Sequence, residues 1–213
     1  MTKYIILGAG GFGRELREYL EDCLLKGGLK GEFSGYLDDT LSKETLTKNG
    51  DMILGGFDEN LPISEFKFLI GLGDPKSRSK VFNIYKNKGA FFETLIHPSA
   101  YKSASAEVCE GGILCPFSFL GSGAYVGQNC LLNIYSSVGH DSCLGSHSVL
   151  SPYATVNGDA ILQDEIFLGT KAVITKNCKV GDEVKVSAGS VVYSDLPSRT
   201  MAFGNPARMK KNT

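Results

Sequence analysis

The chain contains three histidines, and one of them has neighbours that suit chemistry. His140 is followed by the acidic Asp141 and preceded by the run Asn133-Ile134-Tyr135-Ser136-Ser137-Val138-Gly139. An imidazole exchanges its proton near neutral pH, and a carboxylate beside it can orient the ring and stabilise the charged form. The pair His140-Asp141 is therefore the candidate general base. His97, just before Pro98, reads as a structural hinge, and His147 reads as a surface residue. The six cysteines are Cys23, Cys109, Cys115, Cys130, Cys143 and Cys178, with no Cys-x-x-Cys spacing among them. They read as reduced, buried packing residues of a cytoplasmic protein.

Glycine supplies a second kind of chemistry. Gly8-Ala9-Gly10-Gly11-Phe12-Gly13 satisfies G-x-G-x-x-G directly after the apolar run Tyr4-Ile5-Ile6-Leu7. A helical pattern follows, with Leu16, Tyr19 and Leu20 on one face. Such a turn offers free N–H groups at a helix N-terminus to a phosphate. Further strands end at Gly35-Tyr36-Leu37-Asp38-Asp39 and Gly71-Leu72-Gly73-Asp74, and a fourth, Phe91 to Ile96, closes against His97-Pro98. Strands alternating with helices imply a small parallel sheet whose crevice lies at the strands' C-terminal ends. Gly8, Gly10, Gly11, Asp38, Asp39, Gly73 and Asp74 belong to that crevice. Asp38 comes thirty positions after Gly8, later than the roughly 20 expected for a ribose-gripping acid. A phosphate-bearing ligand is expected there, and a complete dinucleotide site is not.

The second half of the chain is periodic. Every sixth residue from Val108 to Val192, fifteen in succession, is Val, Leu or Ile. The position after it is often glycine (Gly121, Gly127, Gly139, Gly145, Gly169, Gly181), and the fifth position is mostly small, including Cys130 and Cys178. A period of six is neither helical nor plain alternating strand. It fits a parallel β-solenoid in which each flat face takes one hexad, the aliphatic residue fills the interior, and the glycine permits an unusual turn. With three faces per turn, about five coils are expected. The fold class is α/β plus β-solenoid: a small Rossmann-like βαβ domain, residues 1–97, followed by a β-helix with a C-terminal tail, residues 98–213. A net charge of −1 argues against an electrostatic nucleic-acid binder, and no apolar run approaches membrane length.

The hexads resemble those of the hexapeptide-repeat acyltransferases, which form left-handed parallel β-helices. Beside them stand the N-terminal glycine run, Gly35-Tyr36-Leu37-Asp38-Asp39, Ile96-His97-Pro98-Ser99-Ala100, the segment Asn133 to Asp141, and Gly204-Asn205-Pro206-Ala207-Arg208. Together these are similar to the sugar acetyltransferase subfamily that contains the bacterial nucleotide-aminosugar N-acetyltransferases and the sialic acid O-acetyltransferases. The resemblance implies an acetyl-CoA-dependent N-acetyltransferase acting on a nucleotide-linked amino sugar, with a 4-amino-deoxy sugar favoured, for surface glycan synthesis. The alternative is O-acetylation of sialic acid or another sugar hydroxyl.

By the same resemblance His140 is the general base, Asp141 its orienting carboxylate, Gly158 the oxyanion donor, and Asn133 a sugar contact. The nucleotide lies in the crevice with Gly10, Asp38 and Asp39. Coenzyme A contacts fall near Gly158, Gly169, Thr170, Ala188 and Gly189, with Pro206, Ala207 and Arg208 towards the adenine. No metal is implied. A homotrimer with active sites between subunits is implied, and Phe117, Phe119, Tyr125, Tyr135 and Tyr153 suit either its interface or the wall of the substrate cleft. Val149 stands where relatives often carry a second histidine. Three other readings are open: a covalent acyl-cysteine route, a nicotinamide-dependent oxidoreductase fragment in the first half, and a non-catalytic solenoid binding module.

Overall fold

The computed structural model describes residues 1–26, 28–40 and 50–211. Its first part contains β1 (Lys3–Leu7), α1 (Gly11–Leu25), β2 (Glu32–Leu37), β3 (Ile53–Gly55), β4 (Phe66–Ile70), α2 (Pro75–Asn87) and β5 (Phe91–Phe92). The strands form one parallel sheet in the order β3-β2-β1-β4-β5. Central β1 is an unbroken apolar run because both of its faces are covered. Tyr4 and Ile6 pack towards Leu16, Leu20 and Cys23 of α1, while Ile5 and Leu7 pack with Val81, Phe82 and Tyr85 of α2.

The fourth strand expected from sequence divides in two. Phe91–Phe92 joins this sheet, but Leu95–Ile96 pairs with Ile113–Leu114 and is already the first rung of the solenoid. Three faces follow. The first face stacks Leu95–Ile96, Ile113–Leu114, Leu131–Leu132, Val149–Leu150, Phe167–Leu168 and Lys185–Val186, then Thr200–Phe203 and the antiparallel Arg208–Lys211. The second face runs from Tyr101–Lys102 to Val191–Val192 in six strands, and the third from Glu107–Val108 to Lys179–Val180 in five. The winding starts before the first hexad and continues past the last, so the solenoid is longer than five coils. Leu114, Leu120, Leu132, Leu144, Leu150 and their repeats form its fully buried interior.

The turn chemistry differs from the sequence reading. The second-position glycines do not have positive φ; a Cβ on Gly121, Gly139 or Gly169 would instead lie 2.6–2.7 Å from the backbone nitrogen of the next coil. These glycines permit close stacking. The left-handed backbone falls at the fourth position, at every sixth residue from Gly111 to Gly189, with φ between +54° and +75°. Gly, Phe, Asn, Tyr, Asp, His, Glu and Lys occupy it, and Val, Ile and Thr never do. A branched Cβ tolerates that conformation worst.

Both helices pack on the solenoid. Leu16, Leu20 and Cys23 of α1 cluster with Ile113, Leu131 and Val149 of the first face. At the junction His97 is buried: Nδ1 lies 2.7 Å from Ser99 Oγ, Nε2 lies 3.1 Å from Asp22 Oδ2, and Tyr19 meets the ring edge-on. The residue read as a hinge is a fixed clasp.

Candidate active site

The corner between the second and third faces carries His140, Asp141 and Gly158. Asp141 sits at its left-handed position, with φ +56°. That turns its carboxylate back on the preceding residue, so Asp141 Oδ2 lies 2.9 Å from His140 Nδ1. A proton held on Nδ1 by the carboxylate leaves the lone pair on Nε2, the nitrogen that can act as a base. The imidazole is 56% exposed.

The other edge of the ring lies over Gly158, one coil further along. A Cβ at residue 158 would collide with Nε2 and Cε1 of the imidazole, so only glycine leaves room for this orientation. The Asp159 N–H donates to the His140 carbonyl at 3.0 Å and fixes the stacking of the two coils. Among the described residues the Gly158 N–H has no acceptor. Asp159 completes the corner: one of its carboxylate oxygens lies within 4.8 Å of both a His140 ring nitrogen and an Asp141 oxygen. Lys176 Nζ pairs with Asp159 Oδ2 at 3.3 Å.

A different corner, between the first and second faces, carries Asn133, Gly169, Thr170, Ala188 and Gly189. The turn Gly204–Ala207 folds against it, with the Val191 N–H donating to the Gly204 carbonyl and the Ala207 N–H to the Val191 carbonyl. Along the same edge Phe117, Tyr135 and Tyr153 stack as a ladder, with centroids 5.0 and 4.9 Å apart and planes within 12°. Lys171 stands 6.0 Å from the last ring. The rings are about half exposed, at 55%, 46% and 47%. Within one chain, then, His140 and the residues expected to meet coenzyme A occupy separate edges of the solenoid.

The parallel sheet carries its own cavity, of about 760 Å³, beyond the C-terminal ends of β2, β3 and β4. It is lined by Asp38, Asp39, Gly56, Phe57, Asp58 and Leu72 on one side and by Ser77, Lys80, Val81 and Ile84 of α2, with Lys88 just past its end, on the other. Asp38 is buried and its carboxylate accepts the Ala9 N–H at 2.8 Å, pinning the glycine loop, and the Thr40 N–H and hydroxyl as well. Asp39 accepts the Phe57 N–H at 2.6 Å. Gly8 takes φ +102° to make the turn into α1, whereas Gly10, Gly11 and Gly73 face open space.

Comparison with known proteins bears on both halves. A family model described as the PglD N-terminal domain matches residues 3–85. The acetyltransferase domain of PglB from Neisseria gonorrhoeae FA1090 is 26% identical, with a TM-score of 0.89 over 99% of this chain and 100% of that one. Perosamine N-acetyltransferase from Caulobacter crescentus, in a histidine-to-asparagine variant with CoA and GDP-perosamine, is 25% identical, with a TM-score of 0.90 over 100% of this chain and 98% of that one. WeeI from Acinetobacter baumannii AYE is 27% identical, with a TM-score of 0.86 over 99% and 100%. The chain is a hexapeptide-repeat sugar acetyltransferase. Among curated proteins none matches its sequence.

In this acetyltransferase the sequence-derived residues form three groups. His140, Asp141 and Gly158 meet at one corner; Asn133, Gly169, Thr170, Ala188 and Gly189 share another with Pro206, Ala207 and Arg208 close by; Asp38 and Asp39 line the crevice. Gly8, Gly10, Gly11 and Gly73 stand on the crevice's rim outside the cavity lining. Val149 is buried against α1 and reaches none of them. His147 is not a surface residue: it is half-buried, its Nδ1 accepts a hydrogen bond from Asn129 Nδ2 at 2.9 Å, and it packs edge-on to Phe82. Burial holds its pKa below the ordinary histidine value. Burial likewise pushes the Cys130 thiol up to about 12 and raises Cys115 and Cys143. A raised thiol pKa lowers the thiolate fraction at neutral pH, which disfavours an acyl-cysteine route through these three. Sequence reasoning missed Asp159, Lys176, Phe57, Asp58 and Lys80. The first two lie eighteen or more residues from His140 and become its neighbours only through the coil length.

Proposed function

We propose that this acetyltransferase moves the acetyl group of acetyl-CoA onto the amino group of a nucleotide-linked amino sugar, with His140 as general base. The observation that carries this reading is the ring's placement: Nδ1 on the Asp141 carboxylate and Nε2 free over Gly158. The neutral amine attacks the thioester carbonyl while Nε2 accepts its proton. The tetrahedral intermediate carries an oxyanion, for which the unpaired Gly158 N–H is the donor, and it collapses by breaking the C–S bond. Coenzyme A leaves as thiolate and takes up the proton. No acyl-enzyme forms.

The nucleotide occupies the crevice of residues 1–97, where Asp39, Asp58, Lys80 and Lys88 offer donors and acceptors and Phe57 an aromatic face. Residues 98–213 perform the transfer. Coenzyme A binds along the corner of Gly169, Thr170, Ala188 and Gly189, with Pro206, Ala207 and Arg208 at its adenine end, and Asn133 meets the sugar. Because base and donor corner are on different edges of one chain, the active site is built between copies in a homotrimer. The solved relatives support the substrate class: the Caulobacter protein holds GDP-perosamine and CoA together, and PglB was solved with acetyl coenzyme A.

The test is thiol release from acetyl-CoA against GDP-, UDP- and dTDP-linked 4-amino sugars and free sialic acid, with products identified by mass spectrometry. Formation of an N-acetyl sugar nucleotide is the expected result. Turnover of free sialic acid alone contradicts the reading.

A further inference from the structure

Arg78 is among the most completely buried side chains of the molecule, and no carboxylate pairs with it among the described residues. A guanidinium has five N–H donors, and here all five are used. Nη1 donates to the carbonyls of Ile70 and Leu72 at 2.8 and 2.9 Å. Nε and Nη2 donate to the Asn129 carbonyl at 3.1 and 3.0 Å, and Nη2 also to Asn129 Oδ1 at 2.8 Å. Desolvation lowers its pKa to about 10, which still leaves it charged at neutral pH. A buried cation is tolerated only when its donors are satisfied, and this one is satisfied by acceptors from both parts of the chain.

The two sides of that contact have different functions. Leu72 lines the crevice, and Ile70 ends the strand that leads into it. Asn129 is a fully buried solenoid corner residue in the left-handed conformation. It donates onward to His147, which packs on Phe82 of α2. Helix α2 itself has two working faces: Ser77, Lys80, Val81 and Ile84 line the crevice, while Arg78 and Phe82 grip the solenoid. Lys76 and Lys86 add ion pairs to Glu183 and Glu110 at 2.7 and 2.9 Å.

We infer that Arg78, with Asn129, is a positioning residue that sets the register between the nucleotide crevice and the acetyl-transfer solenoid. This rests on the function proposed above. Donors that fan out from one planar group permit little sliding, and a shift near 1 Å at a reacting centre costs about 10²-fold in rate. The device acts on the attack geometry and leaves the coenzyme A corner untouched.

The test uses the full chain in three forms: wild type, Arg78→Lys and Asn129→Gly. Arg78→Lys keeps the charge and loses the fork; Asn129→Gly suits the left-handed backbone, so it folds even where the arginine variant does not. Calorimetric titration with coenzyme A counts folded sites, and kcat per coenzyme A site is measured on the sugar nucleotide that the wild type turns over. The expected result is a fall of about tenfold for Arg78→Lys and about threefold for Asn129→Gly, with coenzyme A affinity within twofold of wild type. A merely structural role gives lost activity that tracks lost coenzyme A sites, and that result, or an unchanged kcat per site, overturns the inference. A wild type that binds coenzyme A and acetylates no sugar nucleotide overturns the functional reading first, and this assignment with it.

Discussion

His140 depends on two neighbours in different ways. Asp141 fixes the tautomer, and Gly158 leaves space for the ring. Asp141→Asn keeps the shape and removes the carboxylate, so kcat is expected to fall by about 10²-fold, measured by thiol release, with little change in the KM for acetyl-CoA. Gly158→Ala adds one methyl group where the imidazole lies. Residue 158 has no positive φ, so the backbone accepts alanine. The expected signature is kcat lowered by at least about 10²-fold, with a thermal midpoint near that of the wild type. The adjacency of His140 and Asp141 made this dyad readable in one dimension. The steric role of Gly158 and the presence of Asp159 and Lys176 were not, because residues eighteen apart become neighbours only once the coil length is known. His147 was misread for a related reason: its exposure is decided by α2, which the hexad pattern does not contain.

At the scale of the element, the solenoid corner has a requirement that the hexads conceal. The fourth position is left-handed at every turn from Gly111 to Gly189, whichever residue occupies it. Asn177, with φ +63°, gives a clean comparison: Asn177→Gly is expected to leave stability near wild type, and Asn177→Val to lose about 1–3 kcal/mol. Chemical denaturation of the two variants checks it. The aliphatic phase was readable because burial restricts that position to Val, Leu or Ile; the left-handed phase tolerates most unbranched side chains and so leaves only a faint compositional trace. The corner at His147 adds a pH dependence. Its folded pKa is depressed, with desolvation as the largest cause and Arg78 acting in the same direction, while Glu165 and Asp164 oppose. The unfolded chain therefore takes up this proton first as pH falls. The stability that neutral His147 contributes is full above its unfolded pKa of about 6.5 and declines as pH drops below it. Thermal midpoints from pH 7.5 to 5 are expected to fall, and His147→Asn to flatten that slope.

For the molecule as a whole, the proposed site residues divide between two corners of one solenoid, and that division gives the proposed assembly a chemical purpose. The second face between those corners exposes Tyr101 stacked on Phe119, centroids 5.2 Å apart. On the proposed assembly, wild type is expected to scatter light as a trimer and Phe119→Glu as single chains without turnover, although each chain retains its own His140. The two-part architecture was readable from one glycine loop and fifteen hexads. The precise join was not, because Leu95–Ile96 is apolar enough for either sheet and is claimed by the solenoid through pairing with Ile113–Leu114. The central claim is that His140 takes the proton of the attacking amine. It is tested most directly by comparing kcat for His140→Ala and wild type on the preferred sugar nucleotide, at equal coenzyme A occupancy. The account predicts a fall of about 10²- to 10⁴-fold with coenzyme A affinity within twofold; a variant that keeps at least a third of the wild-type rate contradicts it.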